Sequence, residues 1–165
     1  MFERKTTKKI TVGAVEIGAL APVSVQSMCN TKTHDVTATV GQINRLSAAG
    51  CEIVRLAIPD MAAAEAIPEI KKQTDMPLVA DIHFDYRAAL AALDAGADKI
   101  RINPGNIGGE DRVKAVVDCC RAHKVPIRIG VNGGSLEREL LAKYGRVTPE
   151  ALVESALGHV ALLEK

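Results

Sequence analysis

The chain has 165 residues, of which 21 are basic and 20 acidic, so its formal net charge is only +1. This balance argues against a general nucleic-acid-binding surface, and two Tyr, two Phe and no Trp leave no aromatic platform for stacking bases. The length allows one medium domain, and a hydrophobic fraction of 47% supports an aliphatic core and excludes a globally disordered chain.

Residues 1–22 are predicted to form a short β-hairpin. Apolar residues alternate around a turn at Gly13-Ala14, at the positions Ile10, Val12, Val15 and Ile17. The segment also carries basic residues before an apolar stretch, as a secretory signal does. However, Glu16 interrupts that stretch and Pro22 follows the would-be cleavage site, so we expect no leader here. No apolar run in the sequence reaches membrane-spanning length.

Beyond residue 22, short apolar runs alternate with helical patterns. The apolar runs begin near Val23, Glu52, Pro77, Lys99 and Pro126. Such a β/α repeat predicts a parallel sheet with right-handed crossovers. Two architectures satisfy it, an open doubly wound sheet and part of a (β/α)₈ barrel. No Gly-x-Gly-x-x-Gly follows the first strand, which weakens the dinucleotide-binding version of the open sheet.

Capping residues predict where the helices begin and end. The predicted helix starts are Asp35, Asp85, Ser135 and the run Thr148-Pro149-Glu150. Gly50 and Gly96 are predicted to end two helices, because glycine readily adopts the left-handed conformation that closes a helix. One helix is predicted over residues 61–73 with a disturbance at Pro68, and a later one buries Val113, Val116, Val117 and Cys120.

Polar residues interrupt the predicted strands at every second position. They are Arg55, then Asp81 and His83, then Lys99, Arg101 and Asn103, and finally Arg128, Gly130 and Asn132. Side chains two residues apart share one face of a strand. If the apolar face packs under the helices, the polar face points inward. Polar residues inside the carboxyl ends of the strands are typical of a barrel active site, so the pattern favours the barrel.

The inward polar set carries more positive than negative charge. Three arginines, Arg55, Arg101 and Arg128, come from three strands and face a single carboxylate, Asp81. Uncompensated buried charge is costly, and arginine suits bidentate phosphate recognition, so an anionic ligand is expected here. A purely structural ion pair, for instance between Asp81 and Arg101, is the alternative.

Several further features have weaker chemical signals. The glycine-containing loops 103–109 and 132–135 follow arginine-bearing strands and suit the approach of an anion. Gln26 and Asn30 either hydrogen-bond a polyol or cap local structure. Asp81 and His83 resemble half a metal site, but the neighbouring strands offer arginines, so no metal is expected. The remaining histidines, His34, His123 and His159, are interpreted as ordinary loop or helix-surface residues.

The four cysteines, Cys29, Cys51, Cys119 and Cys120, form no Cys-x-x-Cys pair and are interpreted as free thiols of a reducing compartment. Cys119 and Cys120 are adjacent on a predicted helix, about 100° apart around its axis, and therefore cannot both face one metal.

Six motifs occur in order along the chain, at residues 25–31 (VQSMCNT), 35–39 (DVTAT), 49–55 (AGCEIVR), 80–87 (ADIHFDYR), 99–108 (KIRINPGNIG) and 128–132 (RIGVN). Together they resemble the 4-hydroxy-3-methylbut-2-enyl diphosphate synthase family of the non-mevalonate isoprenoid pathway. The resemblance covers the chain from about residue 5 to its last residue.

The resemblance implies an oxidoreductase that converts 2-C-methyl-D-erythritol 2,4-cyclodiphosphate by reductive ring opening and dehydration. It implies flavodoxin or ferredoxin as the electron donor, a homodimer, and a cytoplasmic location. The implied fold is a partial TIM barrel similar to that of dihydropteroate synthase, with about five β/α units. Residues 1–22 would close the barrel bottom and residues 23–165 would form the incomplete substrate-binding barrel. A C-terminal domain with a [4Fe-4S] cluster, held by three cysteines and a glutamate, is absent from this chain.

Carried over by motif, the arginines Arg55, Arg101 and Arg128 would bind the cyclodiphosphate. Four polar residues would surround it, namely Asp81, His83, Asn103 and Asn132. The resemblance implies no catalytic residue and no metal ligand within this chain. Two alternatives stay open beside it. One is a dihydropteroate-synthase-like transferase, and the other is a non-catalytic half-barrel module whose first and fifth strands lie unpaired at the edges.

Overall fold

The strands of the computed structural model, which describes residues 5–164, form two sheets. They are β1 (Ile10–Val12), β2 (Val15–Ile17), β3 (Gln26–Met28), β4 (Ile53–Ile58), β5 (Leu78–Ile82), β6 (Lys99–Ile102) and β7 (Ile127–Ile129). The first two pair antiparallel as the hairpin predicted from the sequence. The other five are parallel and follow chain order across the sheet, β3-β4-β5-β6-β7. An open doubly wound sheet reverses its strand order at a switch point, and this sheet does not, so it winds as a barrel does. Within residues 5–164 the sheet is not closed into a barrel, and β3 and β7 are its edges.

Eight α-helices lie among the described residues. They are α1 (Val36–Ala48), α2 (Met61–Glu65), α3 (Ile67–Lys71), α4 (Tyr86–Asp94), α5 (Pro104–Ile107), α6 (Glu110–His123), α7 (Arg138–Tyr144) and α8 (Pro149–Glu164), and a 3₁₀ turn covers Gly133–Ser135. None of these helices combines the length and apolarity needed to cross a membrane.

Side-chain caps confirm three of the predicted helix starts. Asp35 accepts a hydrogen bond from the backbone N–H of Ala38, and Asp85 accepts one from Arg87. Thr148 accepts one from the N–H of Ala151 and begins α8. Each bond satisfies a backbone donor that the first helical turn leaves without a partner. The predicted ends at Gly50 and Gly96 are also confirmed, since both follow a helix with φ near +90° (88° and 89°).

The disturbance predicted at Pro68 is confirmed, whereas the helix start predicted at Ser135 is wrong. The helix expected over residues 61–73 is two short helices, α2 and α3, which meet at Ala66 with Pro68 in the first turn of α3. Proline is accepted there because the first turn needs no donor from it. Ser135 caps no helix. Its hydroxyl is engaged by Asn103 and Asn132 instead, and α7 begins three residues later, after Glu137.

The two faces of the central strands pack against different partners. On β5, Leu78, Ala80 and Ile82 face the helices and belong to the large aliphatic core. Val79 faces the other way and packs with Ile53 of β4 and Val12 of the hairpin. We call Val12, Ile53 and Val79 the apolar floor. All three are essentially inaccessible to solvent. The hairpin therefore covers the inward face of the sheet at the amino ends of its strands.

Candidate functional site

One buried carboxylate, Asp81 at the carboxyl end of β5, organises the inward face of the sheet. Arg55 of β4 donates to its Oδ2 atom from Nε at 3.0 Å and from Nη2 at 2.7 Å. Arg101 of β6 donates to its Oδ1 atom from Nη1 at 3.0 Å. The three residues therefore form one network across three neighbouring strands, and the carboxylate, only 2% exposed, fixes the direction of both guanidinium groups.

His83 lies one step beyond Asp81 on the same side of β5. Its Nε2 atom is 3.8 Å from Asp81 Oδ2, and its side chain is about one-third exposed, at 35%. Its ring meets Phe84 edge-on, with centroids 6.1 Å apart. His83 is thus close to the network and open to solvent, where it can donate or accept a hydrogen bond from a molecule above the strand ends.

The guanidinium of Arg101 occupies space that a side chain on Gly130 would fill. A Cβ atom built on Gly130 falls against Nη2, Nε and Cζ of Arg101. Because Asp81 holds Arg101, the guanidinium cannot simply swing away. The absence of a side chain at this one position after β7 is therefore part of what places Arg101.

Arg128 and Lys99 bring two further positive charges to this face of the sheet. Arg128 lies beside Arg101 in the strand register and is exposed. Lys99 lies one position below Arg101 on the same face of β6 and is only 8% exposed. Neither forms an ion pair with a described residue. Burial, and after it the charge of Arg128, lowers the pKa of the Lys99 ammonium.

We call Arg55, Asp81, Arg101 and Arg128 the charged rim. Three guanidinium groups there face one carboxylate, so the rim retains an excess of positive charge. Strand alternation predicts Lys99 on the same face, although it is not among the predicted site residues. Its spacing of two residues from Arg101 was the signal that could have included it.

Asn103 and Asn132 join the two glycine-containing loops at this edge of the sheet. Asn103 is buried, accepts from the N–H of Gly105, and donates from Nδ2 to Ser135 Oγ at 2.5 Å. Asn132 is exposed and accepts from the N–H of Gly134 at 2.9 Å. Both side chains hold backbone turns, so the structure brings all seven candidate residues to one edge but gives the two asparagines a loop-forming role.

A buried polar cluster supports these loops from the helix side. Glu137 accepts from Ser155 Oγ at 3.0 Å and pairs with His159 Nε2 at 2.9 Å, both on α8. The interpretation of His159 as a surface residue is therefore wrong, since it is 8% exposed. Its buried neighbours Ala151 and Ser155 lie at intervals of four along the helix, a periodicity that indicates the buried face.

The cysteines do not fit an iron–sulfur cluster. All four are free thiols, and Cys29, Cys51 and Cys120 are buried. In residues 5–164, the sole group of three closely placed donors with metal-ligating chemistry contains one cysteine, Cys119. Iron–sulfur clusters are held mainly by several cysteine thiolates, so the described part of this chain supplies no site for one.

A singly wound parallel β/α sheet with polar residues at its carboxyl edge defines a domain of the α/β-barrel class. Residues 7–165 match the family model described as the GcpE TIM-barrel domain, and the chain belongs to this family.

Two curated relatives are synthases that are more than twice as long as this chain. The chain is 62% identical over all 165 residues to the 4-hydroxy-3-methylbut-2-en-1-yl diphosphate synthase (flavodoxin) of Maridesulfovibrio salexigens, of which it covers 46%. It is 62% identical over 164 residues, or 99% of this chain, to the synthase of the same name from Azotobacter vinelandii, of which it covers 44%. The chain thus spans less than half the length of these curated relatives.

Solved structures support the fold alone. A mandelate oxidase mutant with a monooxide FMN adduct superposes with a TM-score of 0.51 at 16% identity, over 82% of this chain and 67% of that one. Mandelate oxidase with benzoyl-formic acid gives a TM-score of 0.51 at 14% identity, over 82% of this chain and 66% of that one.

Proposed function

We propose that this chain is the substrate-holding part of a 4-hydroxy-3-methylbut-2-enyl diphosphate synthase. In this proposal the charged rim binds the diphosphate of 2-C-methyl-D-erythritol 2,4-cyclodiphosphate. The observation that carries the proposal is the excess of positive charge, since Arg55 and Arg101 share the carboxylate of Asp81 and Arg128 forms no ion pair with a described residue. The names of the close relatives support the choice of substrate.

The rim residues have different roles in binding. Asp81 holds Arg55 and Arg101 in fixed directions, so part of the ordering that a bound diphosphate requires is already complete. Arg128 is free to close onto the anion. A diphosphate would offset the charge that these groups and Lys99 leave uncompensated. His83 would contact the substrate from the side, while Asn103 and Asn132 shape the loops around it.

In this proposal the described residues hold the substrate and do not carry out the redox chemistry. The described residues do not fit the [4Fe-4S] cluster implied by the resemblance, so no electron-transfer step is assigned to them. We propose flavodoxin as the electron donor, because the relatives carry that word in their names. A homodimer and a barrel of the dihydropteroate-synthase type are parts of the same proposal and rest on the resemblance.

The proposed domain organisation follows from the floor and the rim. Residues 1–22 would close the lower end of a barrel, which the packing of Val12 on Ile53 and Val79 supports. Residues 23–165 would supply about five of its β/α units. Four free cysteines support the reducing, cytoplasmic location expected from the sequence.

Calorimetric titration of the cyclodiphosphate into the 165-residue chain tests the binding role. Binding should weaken as salt is added, because the contact is electrostatic. Arg101→Ala and Arg128→Ala should each lower affinity by about tenfold or more, since a hydrogen bond to a charged group contributes roughly 1.5–3 kcal/mol. The matched control is Arg121→Ala, an exposed arginine at the carboxyl end of α6. Unchanged affinity in both rim variants would refute the proposal.

Gly130→Ala separates the position of Arg101 from its charge. The variant keeps every charge of the rim but puts a methyl group where the guanidinium lies. Affinity should fall although the net charge is unchanged. If Gly130→Ala binds as well as the parent chain while Arg101→Ala does not, the site attracts the anion by charge alone and the positioning role of Asp81 is wrong.

A further inference from the structure

Three side chains with metal-ligating atoms meet at the ends of two neighbouring helices, away from the charged rim. Asp94 is the last residue of α4, and Cys119 and His123 lie in the last turns of α6. The Nε2 atom of His123 is 3.1 Å from Oδ1 of Asp94. One ligand atom from each of the three residues lies within 4.8 Å of the other two. Nothing in the proposed function uses this cluster.

The spacing of these residues suits a shared metal ion. Cys119 and His123 are four residues apart on one helix, so their side chains lie on the same face, one turn apart. Thiolate, imidazole and carboxylate are the three ligand types that bind Zn²⁺, at roughly 2.0–2.3 Å. Atoms bound to one tetrahedral ion at those lengths are separated by roughly 3–4 Å, so small rotamer changes would bring all three into place.

The electrostatic surroundings also favour a cation. Both α4 and α6 end here, and a helix carboxyl terminus carries a partial negative charge. Burial, and after it the charge of Asp94, raises the pKa of the Cys119 thiol. Asp94 faces this group from α4, while two exposed cations, Arg121 and Lys124, follow Cys119 within five residues along the chain. A bound cation would stabilise the thiolate, which burial and then the charge of Asp94 otherwise disfavour.

The neighbouring thiol provides a contrast. Cys120 is 2% exposed and belongs to the aliphatic core, where burial raises the pKa of its thiol to about 12. Cys119 is half-buried at the edge of the same core and donates no hydrogen bond to any residue in the range 5–164. A surface ion pair between Asp94 and His123 would account for two of the three residues but not for the partly exposed thiol beside them.

We propose that Asp94, Cys119 and His123 form a binding site for a thiophilic divalent cation, with Zn²⁺ as the best match and water as the fourth ligand. Binding replaces the thiol proton by the metal, Cys–SH + M²⁺ giving Cys–S–M⁺ + H⁺, so one proton is released per ion. The ion would tie the end of α4 to the end of α6. The site lies at the amino end of the sheet, because the helices run opposite to the strands, and it is therefore separate from the rim.

Cobalt titration of the metal-free 165-residue chain tests the site, because Co²⁺ replaces Zn²⁺ and reports its ligands by absorption. We expect a thiolate-to-Co²⁺ charge-transfer band that saturates at one ion per chain and disappears when Zn²⁺ is added. Cys119→Ser should abolish the band. The matched control Cys120→Ala should retain it, because that thiol faces the core.

Two further variants test the other ligands. Asp94→Asn and His123→Ala change exposed or partly exposed side chains, so neither threatens the fold. Each should weaken Co²⁺ binding by at least the roughly 10–100-fold that loss of an outer-shell partner costs at known metal sites. Zn²⁺ should raise the melting temperature of the parent chain but not of His123→Ala. Absence of the band in the parent chain, its survival in Cys119→Ser, or its loss in Cys120→Ala would each overturn the proposal.

Discussion

The inward face of the sheet differs between its two ends. At the amino ends, the apolar floor packs with no exposed surface, whereas at the carboxyl ends the charged rim concentrates three guanidinium groups around one carboxylate. The change takes place within two residues, from Ile53 to Arg55 on β4 and from Val79 to Asp81 on β5. Because side chains two residues apart share a face, a single strand supplies both the floor and the rim.

Under the proposed function, this difference separates the part of the domain that stabilises the fold from the part that binds an anion. The floor gains free energy simply by excluding water. The rim gathers like charges that oppose folding unless a partner offsets them. Lys99 combines features of both regions. It lies at the amino end of β6 and is buried like the floor, but it is charged like the rim.

The largest effect on stability is expected from the central carboxylate. Asp81→Asn removes the negative charge from a buried position that holds two guanidinium groups, and breaking a buried pair in this way costs about 3–5 kcal/mol. Urea unfolding of the variant and parent chains measures the loss. The matched control is Asp85→Asn, which removes a carboxylate from an exposed pair with Arg87 but keeps a capping side chain. An equal loss in the two variants would contradict the central role of Asp81.

The floor should respond to mutation differently. Val12→Ala removes two buried methyl groups from the hairpin and should lower stability by about 1.5–2 kcal/mol. Affinity for the cyclodiphosphate should stay the same, because Val12 belongs to the floor and not to the rim. Val23→Ala, at an exposed position of similar chemistry, should change stability by less than about 0.5 kcal/mol. A Val12→Ala variant that loses affinity without losing stability would break the distinction between floor and rim.

Replacing Lys99 should raise the stability of the chain and weaken its binding of the cyclodiphosphate. Lys99→Met replaces a buried cation that has no carboxylate partner among the described residues, and we expect it to stabilise the chain by about 1 kcal/mol. It should also weaken cyclodiphosphate binding, because it removes positive charge below the rim. The control Lys114→Met changes an exposed residue on α6 and should be nearly neutral in both measurements.

The gain from Lys99→Met should depend on pH in a defined direction. The pKa of Lys99 is lowered in the folded chain, so between that value and about 10.4 the unfolded chain binds more protons. In that range the stability of the parent chain rises with pH. The advantage of the variant is therefore full below the folded pKa and shrinks as the pH approaches about 10.4. Urea unfolding at a series of alkaline pH values measures it, and a constant advantage would contradict a cationic Lys99.

The smallest effect is expected behind the rim loops. Ser155→Ala removes the hydrogen bond that Ser155 donates to Glu137, leaving that carboxylate with His159 alone. Stability should fall by about 1 kcal/mol, the usual contribution of one such bond. The amide protons of the 132–135 loop should exchange faster with solvent, which a mass-spectrometric exchange measurement follows. Unchanged exchange would show that α8 does not support the loop.

Periodicity and capping predicted the parts of the fold that depend on local sequence. Alternation along β5 and β6 placed Asp81 and Arg101 on one inward face, and the caps at Asp35 and Asp85 follow from local hydrogen bonds. The cap predicted at Ser135 fails because the competing partner of its hydroxyl, Asn103, is 32 residues away. His159 was assigned to the surface for a similar reason, since its partner Glu137 comes from another element. The bonds that escape prediction are those between distant segments.

The sequence predicts which residues lie at the candidate site but not how they pair with one another. Strand alternation identified the three arginines and the one carboxylate, yet which arginine pairs with Asp81 depends on strand order and register. The structure pairs two of them and leaves Arg128 exposed. The contact between Gly130 and the guanidinium of Arg101 could not be predicted either, because the sequence does not indicate which side chain packs against a glycine.

The shared carboxylate has a consequence for how the chain folds. Arg55, Asp81 and Arg101 come from three strands. Both arginines reach Asp81 only when β4, β5 and β6 pair in their native register. A slip of one residue in β5 would turn Asp81 toward the helices and bury it without a cation, while two guanidinium groups lost their acceptor. The network thus penalises misaligned sheets as well as stabilising the aligned one. It therefore helps to specify the register of the strands, in addition to any part it plays in recognising an anion.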